Sequence, residues 1–210
     1  VEVKSAHSGN HHANGANAIV QLAHTIQRLA ALTDYAKQVT VNVGVVKGGS
    51  VTNRVPHYAE ASVELRAFSP DVFQVTIDKI LALSEAVKVA SIDGYPCKVS
   101  IQTLDRTDPW AENQKTAQLF NAWRETAGRI GLQIVGEARG GLSDGNFLWE
   151  KYPTLDGLGP VGANAHCSER TADGSKDQEY ALQDSFTPKA LLNTLALIEL
   201  LRPPARAQKP

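Results

Sequence analysis

Cysteine is scarce in this chain of 210 residues. Its two copies, Cys97 and Cys167, lie far apart and form no C-x-x-C pair. That spacing excludes a disulfide framework and a cysteine-rich zinc site, and it favours a reducing, cytoplasmic setting. Long apolar runs are missing as well. The richest stretch, KALLNTLALIELL, is interrupted by Asn193 and Thr194 and falls short of the roughly 20 residues a bilayer demands, so no membrane partner is expected. Excess charge of one sign is also absent. With 21 Lys and Arg against 22 Asp and Glu, a formal charge of -1 and a pI near 6.6, nothing draws the chain to nucleic acid or an anionic surface. A small molecule or another protein is the expected partner. The opening VEVKSAHSG reads as a strand rather than as a charged region followed by an apolar one, and no internal repeat or low-complexity segment is present.

With 42% hydrophobic residues, the chain suffices for one large domain or two small ones. Periodicity divides it near residue 104. VEVKS alternates as a strand, and Ile19, Leu22, Ala23, Ile26, Leu29 and Ala30 form one helical stripe. VTVNVGVV sets Val39, Val41, Val43 and Val45 on one side of a strand; YAEASVELRA does the same with Ala61, Val63 and Leu65. Ser69-Pro70-Asp71 opens a second helix, with a core stripe of Phe73, Ile77, Ile80, Leu81 and Val87, and CKVSIQTL reads as a closing strand. The order β-α-β-β-α-β is that of a ferredoxin-like α+β domain over residues 1–104. Residues 105–203 read differently, as part of an α/β layer. A helix through Phe120, Trp123, Ala127 and Ile130 leads to a strand LQIVGEA, a glycine loop, a short helix DGNFLWEKY, a strand PTLDGLG and a final helix TPKALLNTLALIELL. RPPARAQKP, with residues 204–210, reads as a tail.

Several polar residues sit where chemistry could be done. His166, in GLGPVGANAHCSER, follows a strand and a glycine-rich loop and is a candidate metal ligand, although zinc needs three or four donors. Arg139 precedes Gly140 and Gly141, where a guanidinium fork and exposed backbone N–H groups can meet a carboxylate. Asn53 and Arg54 occupy a turn, and Arg66 lies on a polar sheet face. His7 ends the first strand; with His11 it has H-x-x-x-H spacing, but Gly9 and Asn10 oppose the helix that spacing requires, so no metal site of His7, His11 and His12 is expected. Gly141-Leu142-Ser143-Asp144-Gly145 fits G-x-S-x-G, which keeps Ser143 open as a hydrolase nucleophile with Asp156 and His166 following.

In order and spacing, SAHSGN…GANAI, VNVGVVKGGSVTNRVPHYAEASVELR, RGGLSDGNF and PTLDGLGPVGANAHCSE resemble the co-catalytic zinc peptidase family of glutamate carboxypeptidase, aminoacylase, acetylornithine deacetylase and succinyl-diaminopimelate desuccinylase. The resemblance implies a lid or dimerisation domain followed by the C-terminal portion of a catalytic domain. It implies that His166 ligates one of two zinc ions, and that His7 reaches into a partner subunit's site to stabilise an oxyanion. Asn53, Arg139 and Arg66 would hold the substrate carboxylate, with Gly140 and Gly141 admitting the substrate to the backbone. The implied substrate is a small peptide or N-acyl amino acid, and the implied assembly is a homodimer through the lid.

The family's H-x-D segment, bridging aspartate and Glu-Glu pair do not precede Val1, so the expectation is a fragment lacking an N-terminal catalytic segment. Such a fragment would hold zinc weakly or not at all and be inactive alone. Cys167 after the histidine and the TADGSKDQ stretch depart from the family pattern and bear on substrate identity. A non-catalytic dimerisation or interaction module, pairing through strand edges, stays open beside the hydrolase readings.

Overall fold

A computed structural model describes residues 1–166 and 178–202. Cys167, residues 171–177 of the TADGSKDQ stretch and the 204–210 tail therefore lie outside the described residues. The chain forms two compact units. The first comprises Val1–Ala111 and, returning from later in the chain, Arg139–Leu142; the second comprises Glu112–Ala138 and the chain from Ser143 onward.

The first unit is built on an antiparallel hairpin of β1 (Val39–Gly48) and β2 (Ala59–Ala67). Between Val43 and Val45 the register shifts by a β-bulge at Gly44. The expected inward row of valines therefore ends there: Val39 and Val41 are buried, whereas Val45 is exposed. The first five or six residues extend the sheet beyond β2 without forming a regular strand. Ala59 N donates to Val1 O, Val3 N to His57 O and Val55 N to Ala6 O. The expected closing strand CKVSIQTL is likewise reduced to one bridge, in which Glu2 and Lys98 exchange both N–H···O bonds.

Two helices pack on this hairpin. In α1 (Ala18–Ala30) the Asn17 side chain caps the N-terminus by accepting from Ile19 N and Val20 N. Its buried stripe is Ala18, Gln21, Leu22, Thr25 and Leu29. This lies about one position from the apolar stripe read from sequence, and Ile19, Ala23 and Ala30 are exposed. The difference comes from Gln21, which is fully buried because its amide is fully used. Oε1 accepts from Lys88 N at 2.8 Å and Val89 N at 3.0 Å, while Nε2 donates to Ala86 O at 3.3 Å. In α2 (Pro70–Leu81) Ser69 caps and Pro70 takes the first turn, where its missing N–H costs nothing. Phe73 and Thr76 are buried. Arg106 lies over the Phe73 ring, 5.6 Å from its centroid, and its Nη1 donates to Gln74 Oε1, so the first unit runs past residue 104. The Cys97 thiol is buried, which pushes its pKa up and leaves little reactive thiolate.

The second unit is a helix pair with extended chain laid on it. In α3 (Gln114–Arg129) and α4 (Phe186–Leu201), Trp123, Ala127, Leu192 and Ala196 form the core. Asn193, which broke the apolar run in the sequence, joins the layers: its Oδ1 accepts from Trp123 Nε1 at 3.0 Å and its Nδ2 donates to Leu158 O at 2.9 Å. The two strands expected here are a correction. LQIVGEA and PTLDGLG place Leu132, Ile134, Leu155 and Leu158 against the helix core, yet neither joins a ladder among the described residues. Apolar side chains set what faces inward, but a strand also needs a neighbouring backbone. DGNFLWEKY, expected as a helix, gives a single 3-10 turn at Asp144–Phe147. A short pairing of β3 (Gly162–Ala163) with β4 (Tyr180–Ala181) completes the unit.

Replacing Gln21 by leucine keeps the volume but strands two N–H groups and a carbonyl. About 2–3 kcal/mol of stability should be lost in urea unfolding, and a loss below half that would show that water can stand in for the amide. A second expectation concerns acid. Ser91 Oγ and Lys4 Nζ both bond the Asp93 carboxyl and hold it down to about 2. A carboxyl lowered on folding stabilises the native state above its ordinary value of 3.8 and loses that contribution as pH falls toward 2. Acid unfolding of Asp93→Asn should lack this part of the loss between pH 4 and 2, and coincident curves for the two proteins would refute the link.

Candidate functional site

The site residues expected from sequence fall into three places. His7 and Asn53 meet where the first residues of the chain run beside the hairpin loop. Ser8 N donates to Asn53 O at 3.0 Å, and His7 bridges Arg54, whose Nη2 reaches Ser5 Oγ at 3.3 Å. Both His7 and Asn53 are exposed. The imidazole orientation is set by its own turn: Nδ1 accepts from Gly9 N at 3.1 Å and from Asn10 N at 3.2 Å. A neutral ring that accepts at Nδ1 bears its proton on Nε2, so His7 presents a donor outward.

Arg66 and Gly140 meet elsewhere in the same unit. Arg66 Nη1 donates to Gly140 O at 2.9 Å and Nη2 to Glu64 Oε1 at 2.7 Å. Arg139 and Gly141, on either side of Gly140, are exposed. The two groups occupy opposite ends of the hairpin. From Ala59 to Arg66 the strand climbs seven residues, about 23 Å at ~3.3 Å per residue, and Asn53 lies beyond Ala59 in the same direction.

His166 belongs to the second unit, exposed, in the turn after β3. Its backbone is left-handed, φ 66°, two residues after Asn164 at φ 61°. Asn and His tolerate this region better than most residues. Ser143 occupies the N-cap of the Asp144–Phe147 turn: its Oγ accepts from Gly145 N at 3.1 Å and its own N–H donates to Asn146 Oδ1 at 3.1 Å. No strand leads directly into it among the described residues and its φ of -138° is relaxed, so the strained strand-to-helix turn that exposes a nucleophilic serine is not formed.

The residues present do not by themselves fit a metal centre. Among the described residues no three His, Cys, Asp or Glu side chains cluster to hold an ion, and His166 supplies a single imidazole. Sequence reasoning missed Glu64, which aligns Arg66; the i, i+2 spacing of opposite charges on one strand face was the available signal.

Comparison with known proteins bears on the first unit most directly. A family model described as a peptidase dimerisation domain matches residues 1–91. Residues 1–91 are thus similar to the dimerisation domain of M20 peptidases. N-acetyldiaminopimelate deacetylase of Bacillus pumilus is 25% identical over 150 residues, covering 70% of this chain and 37% of that protein. Among solved structures, aminopeptidase PepT of Bacillus cereus superposes with a TM-score of 0.62 at 18% identity over 96% of this chain and 50% of its own. YxeP of Bacillus subtilis, a dinuclear metal-binding peptidase of the M20 family, gives 0.54 at 18% identity over 88% of this chain and 46% of its own. These likenesses establish an α/β fold of the kind seen in M20 peptidases. The chain spans 24 to 38% of the length of the curated relatives it matches.

The His7 tautomer is directly observable. Two-bond nitrogen–proton correlation spectra above pH 8 should show the pattern of a ring protonated on Nε2; the Nδ1–H pattern would mean that the Gly9 and Asn10 bonds are not made in solution.

Proposed function

We propose that the chain forms part of a zinc-dependent M20 amidohydrolase that cleaves an amide beside a free carboxylate, in a small peptide or an N-acyl amino acid, and that works as a homodimer through its first unit. The match of residues 1–91 to a peptidase dimerisation domain is the observation that carries this reading. A deacetylase and a p-aminobenzoyl-glutamate hydrolase homolog among the relatives favour amide substrates.

The hairpin offers an edge for pairing. Thr33 and Asp34 cover the start of β1, where Val41 N donates to Thr33 Oγ1 and Asp34 N to Val39 O. Beyond it, Val43–Gly48 has no further strand beside it among the described residues, and Val45 and Val46 are exposed. Given the substrate-holding roles proposed for them, the separation of His7 and Asn53 from Arg139 also favours the dimer. One small carboxylate cannot touch both ends of a strand of this length, so a substrate held by all of them draws them from two copies.

In this reading Arg139 and Asn53 hold the carboxylate, and the outward Nε2–H of His7 donates to the oxyanion that develops at the scissile carbonyl. His166 is one donor to a metal pair whose other donors come from polypeptide outside these 210 residues. The metal would supply an activated water when bound.

The intact gene product containing this chain decides the matter. It should bind zinc and hydrolyse N-acyl amino acids in a chelator-sensitive way, and His166→Ala should lower its metal content and abolish turnover. Lack of bound metal in that protein would favour a purely structural dimerisation module. Chelator-sensitive hydrolysis by the 210 residues alone would overturn the assignment of the remaining donors elsewhere.

A further inference from the structure

Arg139–Leu142 groups with the first unit although the chain on both sides of it, up to Ala138 and from Ser143, groups with the second. Two contacts tie it to β2 and the residue just past it. The first is the Arg66 guanidinium, bonded through Nη1 to the Gly140 carbonyl and through Nη2 to Glu64. Glu64 and Arg66 are two apart on β2 and therefore share a face, so the carboxylate fixes the plane of the fork before the loop arrives. The Glu64 carboxyl is lowered chiefly by this hydrogen bond, as a formed pair requires. The second contact is the Phe68 ring, just past the end of β2. A Cβ at position 140 would lie 3.4 Å from it, an ordinary van der Waals contact, so the Gly140 backbone passes close beside the aromatic edge.

We propose that Arg66 is a positioning residue: with Glu64 and Phe68 it clamps the Gly140 backbone and so fixes where the Arg139 guanidinium and the Gly141 N–H are presented. This differs from the role of carboxylate ligand that the family resemblance implies for Arg66, because its fork already serves a carbonyl and a carboxylate. The inference rests on the reading of Arg139 as the carboxylate-holding group only for its functional consequence; the clamp itself can be tested without turnover.

Trypsin provides the probe, since the Arg139–Gly140 bond is itself a cleavage site. Under native conditions, peptide mapping by mass spectrometry should show cleavage after Arg139 accelerating roughly 3- to 10-fold in Arg66→Met, as expected when a charged hydrogen bond on a half-exposed group is removed. Cleavage at other sites and the urea midpoint should stay near wild type, and Arg66→Lys, which can still donate to the Gly140 carbonyl, should restore much of the protection. Glu64→Gln gives the same test at smaller amplitude should Arg66→Met fold poorly. Unchanged cleavage after Arg139 would overturn the clamp, and so would acceleration spread evenly over all sites, which marks a merely structural role. Either result leaves the metal-dependent reading intact, because that reading is tested by metal content and hydrolysis.

Discussion

The side-chain amide of Gln21, in the middle of α1 and shut off from solvent, receives the N–H groups of Lys88 and Val89 and donates to the carbonyl of Ala86. An amide buried with its bonds made costs little; the same group with any of them broken costs more than it contributes. The chain that follows α2 therefore has one place to pass α1. From there the constraint spreads through backbone pairs: Cys97 N donates to Val89 O, Lys98 exchanges bonds with Glu2, and the first residues run antiparallel to residues 55–59. His7 and Asn53 come together at the end of that path. A polar residue on a helix face thus fixes, through three successive backbone pairings, the position of a histidine with chemical potential.

This is also the residue that apolar periodicity could not find. A stripe read from hydrophobic residues assigns Ile19, Ala23 and Ala30 to the interior of α1, and it is displaced from the real one because Gln21 and Thr25 occupy the buried positions. Where the partners of a helix are apolar the reading succeeds, as with Leu22 and Leu29, or Trp123 and Ala127 in α3. Caps were legible for a different reason: Ser69 before Pro70 carries its own hydrogen-bonding logic within a few residues. The bulge at Gly44 was not, because it is a relation between two strands. The same limit explains LQIVGEA and PTLDGLG. Leu132 and Ile134 pack inward as alternation implies, and Leu155 and Leu158, three apart, pack inward without it, while the ladder that would make either segment a strand depends on a backbone beside it.

Legibility of the candidate site follows the same division. His7, Asn53, Arg139 and His166 were picked out as residue types in glycine-rich or turn settings, which the sequence displays openly. What it does not display is distance. His7 with Asn53, and Arg66 with Gly140, prove to be separate pairs anchored at the two ends of one hairpin, and only the pairing of β1 with β2 reveals that they are far apart.

That distance constrains the proposed chemistry more than any single side chain. A rigid two-stranded ribbon does not fold back on itself, so no rotamer of Asn53 or Arg139 brings them to the same small ligand within one copy. In the proposed homodimer, the exposed edge of β1 would offer a route by which a second copy brings its His7 to the first copy's Arg139. Catalysis would then depend on protomer concentration even though every residue involved is encoded once. In that proposal the Nε2–H of His7, oriented by Gly9 and Asn10 rather than by a substrate, would need no rearrangement to donate.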